Sequence, residues 1–274
     1  MRLSRDAYRL ILLALPVAVF ALAFFLVPLA RLAIVAGQGP KGLAAYASIV
    51  TEPRHFESMV VTLGLAIAVT FSALALSTVA GMFLSRHEFR GRQLTIAVLT
   101  LPLAFPGVVV GFLVIMLGGR QGLIGAITQA LGGGKVVFAY SLAGLFVGYL
   151  YFSIPRVILT VMASAEKLDP ALEEAARSLG ASPARVFKDV TLPGLAPGLT
   201  AAGAICFATA MGAFGTAFSL AANIDVLPMT IYTEFTLNAN IAAAASLSLV
   251  LGAVTWSALY LARSLAGAPA AAAA

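Results

Sequence analysis

The chain has 274 residues, 61% of them hydrophobic and only 10% charged, with a formal net charge of +6. A soluble domain carries about 25% charged residues to cover its surface, so this composition excludes an ordinary water-soluble fold and points to lipid as the covering. The basic residues are dispersed along the chain, which excludes a clustered nucleic-acid-binding surface.

Six stretches contain no Asp, Glu, Lys or Arg: Leu10–Ala30, Ser58–Ser85, Gln93–Gly119, Val136–Pro155, Val190–Ile224 and Phe235–Ala262. A helix needs about 20 apolar residues to cross a bilayer, and every stretch meets that length. In lipid the backbone must satisfy its own hydrogen bonds, so each crossing should be helical. Barrel strands would alternate apolar and polar residues, which these runs do not. The predicted fold is therefore all-α and polytopic. Six transmembrane helices are expected over about 10–30, 58–85, 93–119, 136–165, 198–222 and 239–262, in one membrane domain covering 1–274.

The first run follows Arg2, Arg5 and Arg9 and so resembles a secretory signal. It is longer than a signal core of about 7–15 residues, and five more runs follow, so it reads as an uncleaved first helix. With the N-terminus inside, eleven basic residues fall on cytoplasmic segments: Arg2, Arg5, Arg9, Arg86, Arg90, Arg92, Lys167, Arg177, Arg185, Lys188 and Arg263. Five fall outside: Arg31, Lys41, Arg54, Arg120 and Lys135. This bias predicts a multi-pass membrane protein with both termini cytoplasmic. His55, in an outer loop, and His87, in an inner one, are expected to be solvated. No Cys or His stands at ligand spacing, so no metal site is expected. Cys206 lies alone inside the fifth run and reads as a small packing residue. The tail after Gly267 is nearly all Ala and Pro and carries no readable signal.

Two G-x-x-x-G spacings, Gly107 with Gly111 and Gly144 with Gly148, permit close helix packing. Arg156 is the one basic residue outside the loops. It stands beside Pro155, a few turns from the cytoplasmic end of the fourth run. An ionisable residue at that depth is a candidate pathway residue. The other reading is an anchor that snorkels to the interface or pairs with a carbonyl freed by Pro155. If Arg156 faces a cavity, it suits an anionic or zwitterionic solute better than a polyamine.

The loop between the fourth and fifth runs, 166–197, is long and patterned. Asp169 can cap a helix that Pro170 opens, and Glu173 and Glu174 sit where the helix dipole favours negative charge. Leu172, Ala175, Ala176 and Leu179 form one apolar stripe by their i, i+3, i+4, i+7 spacing. Gly180 can take the left-handed conformation that ends this helix. Ser182 and Pro183 repeat the cap-and-proline start for a second short helix through Phe187, which Pro193 should help stop. An exposed apolar stripe flanked by charge suits docking into a partner's groove; packing against the chain's own bundle is the alternative.

Glu174-Ala175-Ala176, three residues, Gly180, nine residues, Val190-Thr191-Leu192-Pro193 resembles the signature loop of permease subunits in binding-protein-dependent ABC importers. The family pattern has Ile where Val190 stands. The likeness extends over about 58–263, and LPLAFPGVVVGF with EKLDP looks like the spermidine/putrescine, ferric-iron and phosphonate type. The resemblance implies that Glu174, Ala175, Ala176, Arg177, Gly180, Phe187 and Pro193 couple to a separate ABC ATPase dimer. That dimer uses ATP-Mg, and this chain binds no cofactor. It also implies a second permease subunit, identical or paralogous, a periplasmic solute-binding protein, and a solute pathway on runs three to five. On that pathway Met211, Gly212, Phe214 and Gly215 join Arg156 as candidates, with helix packing the other reading of these four. The chain itself lacks a phosphate-cradling loop. Gly132-Gly133-Gly134-Lys135 fails the G-x-x-x-x-G-K-[ST] pattern at Gln129 and at Val136. The remaining readings are an ion-coupled secondary transporter, which would want several acidic groups or His inside the bundle, and an intramembrane enzyme, which would show catalytic groups there.

Overall fold

In the computed structural model, the structure describes residues 5–39, 42–220 and 224–265. Arg2, Lys41 and the tail after Gly267 lie outside the described residues. Among the described residues there are helices and turns and no strand. Six helical stretches are long and apolar enough to cross a membrane: Leu12–Gly37, Pro53–Arg86, Gly107–Ala130, Leu142–Ala165, Pro183–Met211 and Ile241–Ser264.

The chain divides into two units, residues 1–56 with 230–252, and residues 57–229 with 253–274. In the first unit, helix α1 (5–37) passes through a π-helical turn at Leu22–Leu26. Its apolar side chains from Leu12 to Leu29 are exposed, as expected of a surface that lipid or another helix covers. A 3-10 turn, Gly42–Ala47, folds back so that the Tyr46 hydroxyl donates to the Ala33 carbonyl at 2.7 Å. Helix α2 (Pro53–Arg86) starts a turn before the uncharged run, because Pro53 fits a first helical turn that lacks N–H acceptors. This overturns the expectation that His55 is solvated: it lies on α2 and is 4% exposed. Its Nδ1 is 3.3 Å from Glu52 Oε2, and its Nε2 is 4.0 Å from Glu234 Oε1 in the π turn Thr233–Leu237. His87 is exposed, as expected, and stacks on Phe83 with ring centroids 4.6 Å apart.

In the second unit the third uncharged run does not make one helix. Helix α3 (Arg92–Thr100) passes into a 3-10 turn, Leu101–Ala104, and stops; helix α4 is Gly107–Gly118. Pro106 explains the break, since a residue before proline is driven out of the helical region, and Phe105 has φ −96° and ψ 131°. Helix α5 (Leu123–Ala130) follows, and Val136–Tyr140 is non-helical before α6 (Leu142–Ala165). The loop helix α7 is Pro170–Ser178. Helix α8 (Pro183–Met211) is continuous through a π turn at Phe187–Thr191, so Pro193 does not stop the second loop helix. The π turn widens the helix just before the proline, which is the local adjustment that lets a helix pass a residue lacking an N–H. After a break at 212–214 come α9 (Gly215–Leu220) and α10 (Leu227–Tyr232), and α11 is Ile241–Leu265.

The core of this unit is built on Tyr149, Leu145, Val157, Leu195, Met211 and Leu220, all essentially inaccessible. One of the two G-x-x-x-G pairs does what its spacing predicts. A Cβ on Gly107 would stand 3.1 Å from Thr216 Oγ1, and one on Gly111 would collide with Ser219 Cβ, so α9 lies directly on the α4 backbone. Of the other pair, Gly148 meets Thr216, whereas Gly144 faces Ala139 of its own connecting segment.

Two glycines of α2 give a contrast. A Cβ on Gly81 would stand 2.9 Å from Val161 of α6, while one on Gly64 would meet nothing within 4 Å. Gly81→Leu should therefore cost about 1–3 kcal/mol by overpacking and lower the thermal midpoint of the detergent-solubilised protein, with Gly64→Leu unchanged. Equal midpoints for the two variants would contradict the α2–α6 packing.

Candidate functional site

Two sites emerge, a cavity between broken helices and the loop of α7 and the start of α8. The cavity, about 340 Å³, lies where the α3–α4 break and the α8–α9 break face one another. Phe105, Gly107 and Val108 line it from one side, Gly212, Ala213 and Gly215 from the other, and Phe152, Arg156 and Thr209 are among its remaining walls. Hydroxyl groups hold the two breaks together, two of them donating to carbonyls in the first turn of α4 and one to a carbonyl inside the 212–214 break. Thr216 Oγ1 donates to Gly107 O at 2.9 Å, Ser219 Oγ to Val108 O at 2.9 Å, and the Tyr149 hydroxyl to Ala213 O at 2.5 Å.

Arg156 projects into this cavity and donates from Nη1 to Thr209 Oγ1 at 2.9 Å. It pairs with no carbonyl freed by Pro155; α6 runs on through Pro155. The positive end of α4 lies at Gly107, so the cavity presents a guanidinium and a helix N-terminus together. Met211 is 0% exposed and belongs to the core, not to the cavity wall. Phe214 is half-buried and packs on Phe218 with centroids 5.3 Å apart. The two glycines named with them in the sequence, Gly212 and Gly215, do line the wall, together with Ala213. Their signal in the sequence was their smallness, which is shared by many helix-packing positions.

The loop forms as its residue pattern predicts. The Asp169 carboxylate accepts from the Ala171 N–H at 2.9 Å, and Ser182 Oγ from the Arg185 N–H at 3.4 Å. Gly180 has φ +81°. The Ala181 N–H reaches Ala176 O at 3.1 Å and the Gly180 N–H reaches Arg177 O at 2.9 Å, the paired bonds of a Schellman cap. The two leucines of the predicted apolar stripe stay uncovered: Leu172 is 59% and Leu179 88% exposed, and Phe187 is exposed as well. Glu174, Ala175 and Arg177 are exposed, Ala176 is half-buried, and Pro193 is exposed on α8.

Glu173, which the sequence pattern offered only as a dipole residue, turns inward and is 8% exposed. Its Oε1 accepts from Arg86 Nη2, on the last residue of α2, and from Thr191 Oγ1 at 2.6 Å. Its Oε2 accepts from Arg177 Nη2 at 3.3 Å. Burial disfavours the charged carboxylate. The hydrogen bonds from Arg86 and Thr191 and the charges of Arg86 and Arg177 outweigh that cost and hold the group below the ordinary glutamate range. Among the described residues, no group of three or more His, Cys, Asp or Glu side chains is placed to hold a metal ion.

A family described as the inner membrane component of binding-protein-dependent transport systems matches residues 73–267, and the chain belongs to it. Sulfate permease 2 of the Chlamydomonas reinhardtii chloroplast is 32% identical over 223 residues, 79% of this chain and 60% of that protein, so the chain spans less than two thirds of that relative. The molybdenum transport system permease protein ModB of Haemophilus influenzae is 33% identical over 183 residues, 65% of this chain and 79% of ModB. A chain from the crystal structure of a bacterial alginate ABC transporter in complex with an alginate-bound periplasmic protein shares the fold, with a TM-score of 0.81 at 17% identity over 94% of this chain and 93% of that one. The protein is thus a multi-pass membrane permease subunit of the ABC importer class. The cargoes named for these relatives are sulfate and molybdenum, and they lend no support to the finer resemblance to the spermidine/putrescine, ferric-iron and phosphonate type.

A carboxylate whose value is lowered on folding contributes stability that is full above its unfolded value and is lost as pH falls through its folded value. A spin label on the exposed Ser178 should therefore keep the same restricted mobility from pH 8 down to about pH 5, and loosen only below the ordinary glutamate range of about 4.3. Loosening that begins between pH 7 and pH 6 would contradict the lowered value of Glu173.

Proposed function

We propose that this chain forms half of the pore of an ATP-driven importer for a tetrahedral oxyanion of the sulfate or molybdate kind. The observation that carries the cargo class is Arg156: a guanidinium held by Thr209 in a cavity that also receives the positive end of α4. Such a site favours an anion rich in oxygen acceptors. The sulfate and molybdenum permeases among the relatives support the same class. A separate ATPase dimer would use ATP-Mg and dock on the loop of α7 and the start of α8. A second permease, identical or paralogous, and a periplasmic binding protein complete the assembly. The excess of basic residues on the α2–α3 turn and the α6–α8 loop supports a topology with those segments and both termini in the cytoplasm. Closure of the ATPase then moves the loop, and the bundle alternates between outward-open and inward-open states.

The cargo reading is tested by uptake in vesicles that hold the complete importer. Arg156→Gln removes a charge-assisted bond of about 1.5–3 kcal/mol and should lower uptake of radiolabelled molybdate or sulfate on the order of 10–100-fold, with assembly unchanged. Arg156→Lys should retain part of it. Normal uptake by both variants would refute the cavity as the anion's path.

The docking reading is tested at Gly180. A Cβ there has open space, so the whole cost of Gly180→Val is conformational, about 1–2 kcal/mol for a left-handed residue with a side chain. The chain should insert at normal abundance while co-purification of the ATPase, or transport by it, is lost; Glu174→Ala should do the same more mildly. Coupled uptake at the normal rate in Gly180→Val would sink the assignment of the loop.

A further inference from the structure

The two adjacent glutamates of α7 face opposite ways. Glu174 is exposed beside Leu172 and Leu179, while Glu173 is buried among Arg86, Thr191 and Arg177. Docking explains the outward one and leaves the inward one without a role.

The contacts of Glu173 join three elements at one carboxylate. Arg86 ends α2, Thr191 lies in the π turn at the foot of α8, and Arg177 is one turn along α7 itself. Oε1 takes a bond from each of the two membrane helices, so neither can shift against α7 without breaking a charge-assisted hydrogen bond. The apolar contacts of α7 cannot do this, because its stripe faces outward. The foot of α8 is also where the helix is locally widened, so its bonding there is already irregular and a side-chain tie fixes its position.

We propose that Glu173 is the positioning residue that transmits loop movement to the membrane helices: it fastens α7 to the ends of α2 and α8 so that the three shift as one body. This rests on the docking of the loop proposed above. Glu174 belongs to the interface with the ATPase, and Glu173 to the linkage behind it. A buried carboxylate with two basic partners and a hydroxyl is costly to keep unless its charge is used, and a well-packed apolar residue would hold a static loop equally well.

The test uses the complex purified with its ATPase and a cargo-independent readout. A cysteine at Gly212, in a Cys206→Ser background, reports access to the cavity through its thiol-labelling rate. In the parent, trapping the ATPase with ADP and vanadate should change that rate by about fivefold or more. In Glu173→Gln, which keeps size and can still pair with Thr191, the ATPase should co-purify as in the parent and still hydrolyse ATP, but the labelling rate should no longer respond. Arg86→Gln should behave alike, and the double variant should be no worse than either single one, as expected when two residues make one link. Arg86→Lys should keep most of the response. A full response in Glu173→Gln, or additive losses in the double variant, would overturn the proposal. So would ATPase retention that falls in step with the response, since Glu173 would then only hold the fold. A parent complex that retains no ATPase would instead overturn the docking reading, and this linkage with it.

Discussion

In the hydrocarbon of a bilayer there is no water to accept or donate a hydrogen bond, so every backbone group freed by a helix break must find a partner inside the protein. This constraint organises the second unit. The break at 212–214 leaves the Ala213 carbonyl to the Tyr149 hydroxyl, and Thr216 and Ser219 tie α9 to the Gly107 and Val108 carbonyls in the first turn of α4. The two bonds from α9 require close approach, and Gly107 and Gly111 supply it by carrying no Cβ where α9 crosses. The cavity exists because the two breaks are held facing each other, and Arg156 is placed in it because α6 passes behind both.

The same constraint ends at the membrane surface, where charge becomes affordable. There the structure uses one carboxylate to join α2, α7 and α8, with burial opposed by two guanidinium groups and a hydroxyl. The loop thereby has two faces of different chemistry: an inward ionic one that holds it to the bundle, and an outward apolar one of Leu172, Leu179 and Phe187. A loop that merely connected α6 to α8 would bury its leucines and expose its glutamates. This one does the reverse at Glu173 and Leu179.

The first unit contains a further charged corner, Glu52, His55 and Glu234, beside a cavity of about 560 Å³. His55 lies on one side of it with its two ring nitrogens turned to different carboxylates, so the three groups do not converge on one point and do not form a chelate. Ala239, the one residue other than glycine with a positive φ among the described residues, lines the same cavity at φ 51° just before α11.

The sequence by itself determined the class of the protein. Uncharged runs long enough to cross a bilayer, the spacing of cap, proline and glycine in the loop, and the family signature are all one-dimensional signals, and they were legible because each depends on near neighbours along the chain. Asp169, Gly180 and Ser182 act on residues one to five positions away, so their roles could be read directly. What only the tertiary structure decided depends on residues far apart: which breaks face each other, that Pro193 is carried through by a π turn, and that His55 is buried. It also decided that Met211 is core while Gly212 lines the cavity, and that Glu173 rather than Glu174 turns inward. Glu173 meets Arg86 across 87 positions and Thr191 across 18. Two neighbouring glutamates have the same local propensity, and only the placement of a guanidinium at the end of a distant helix distinguishes them.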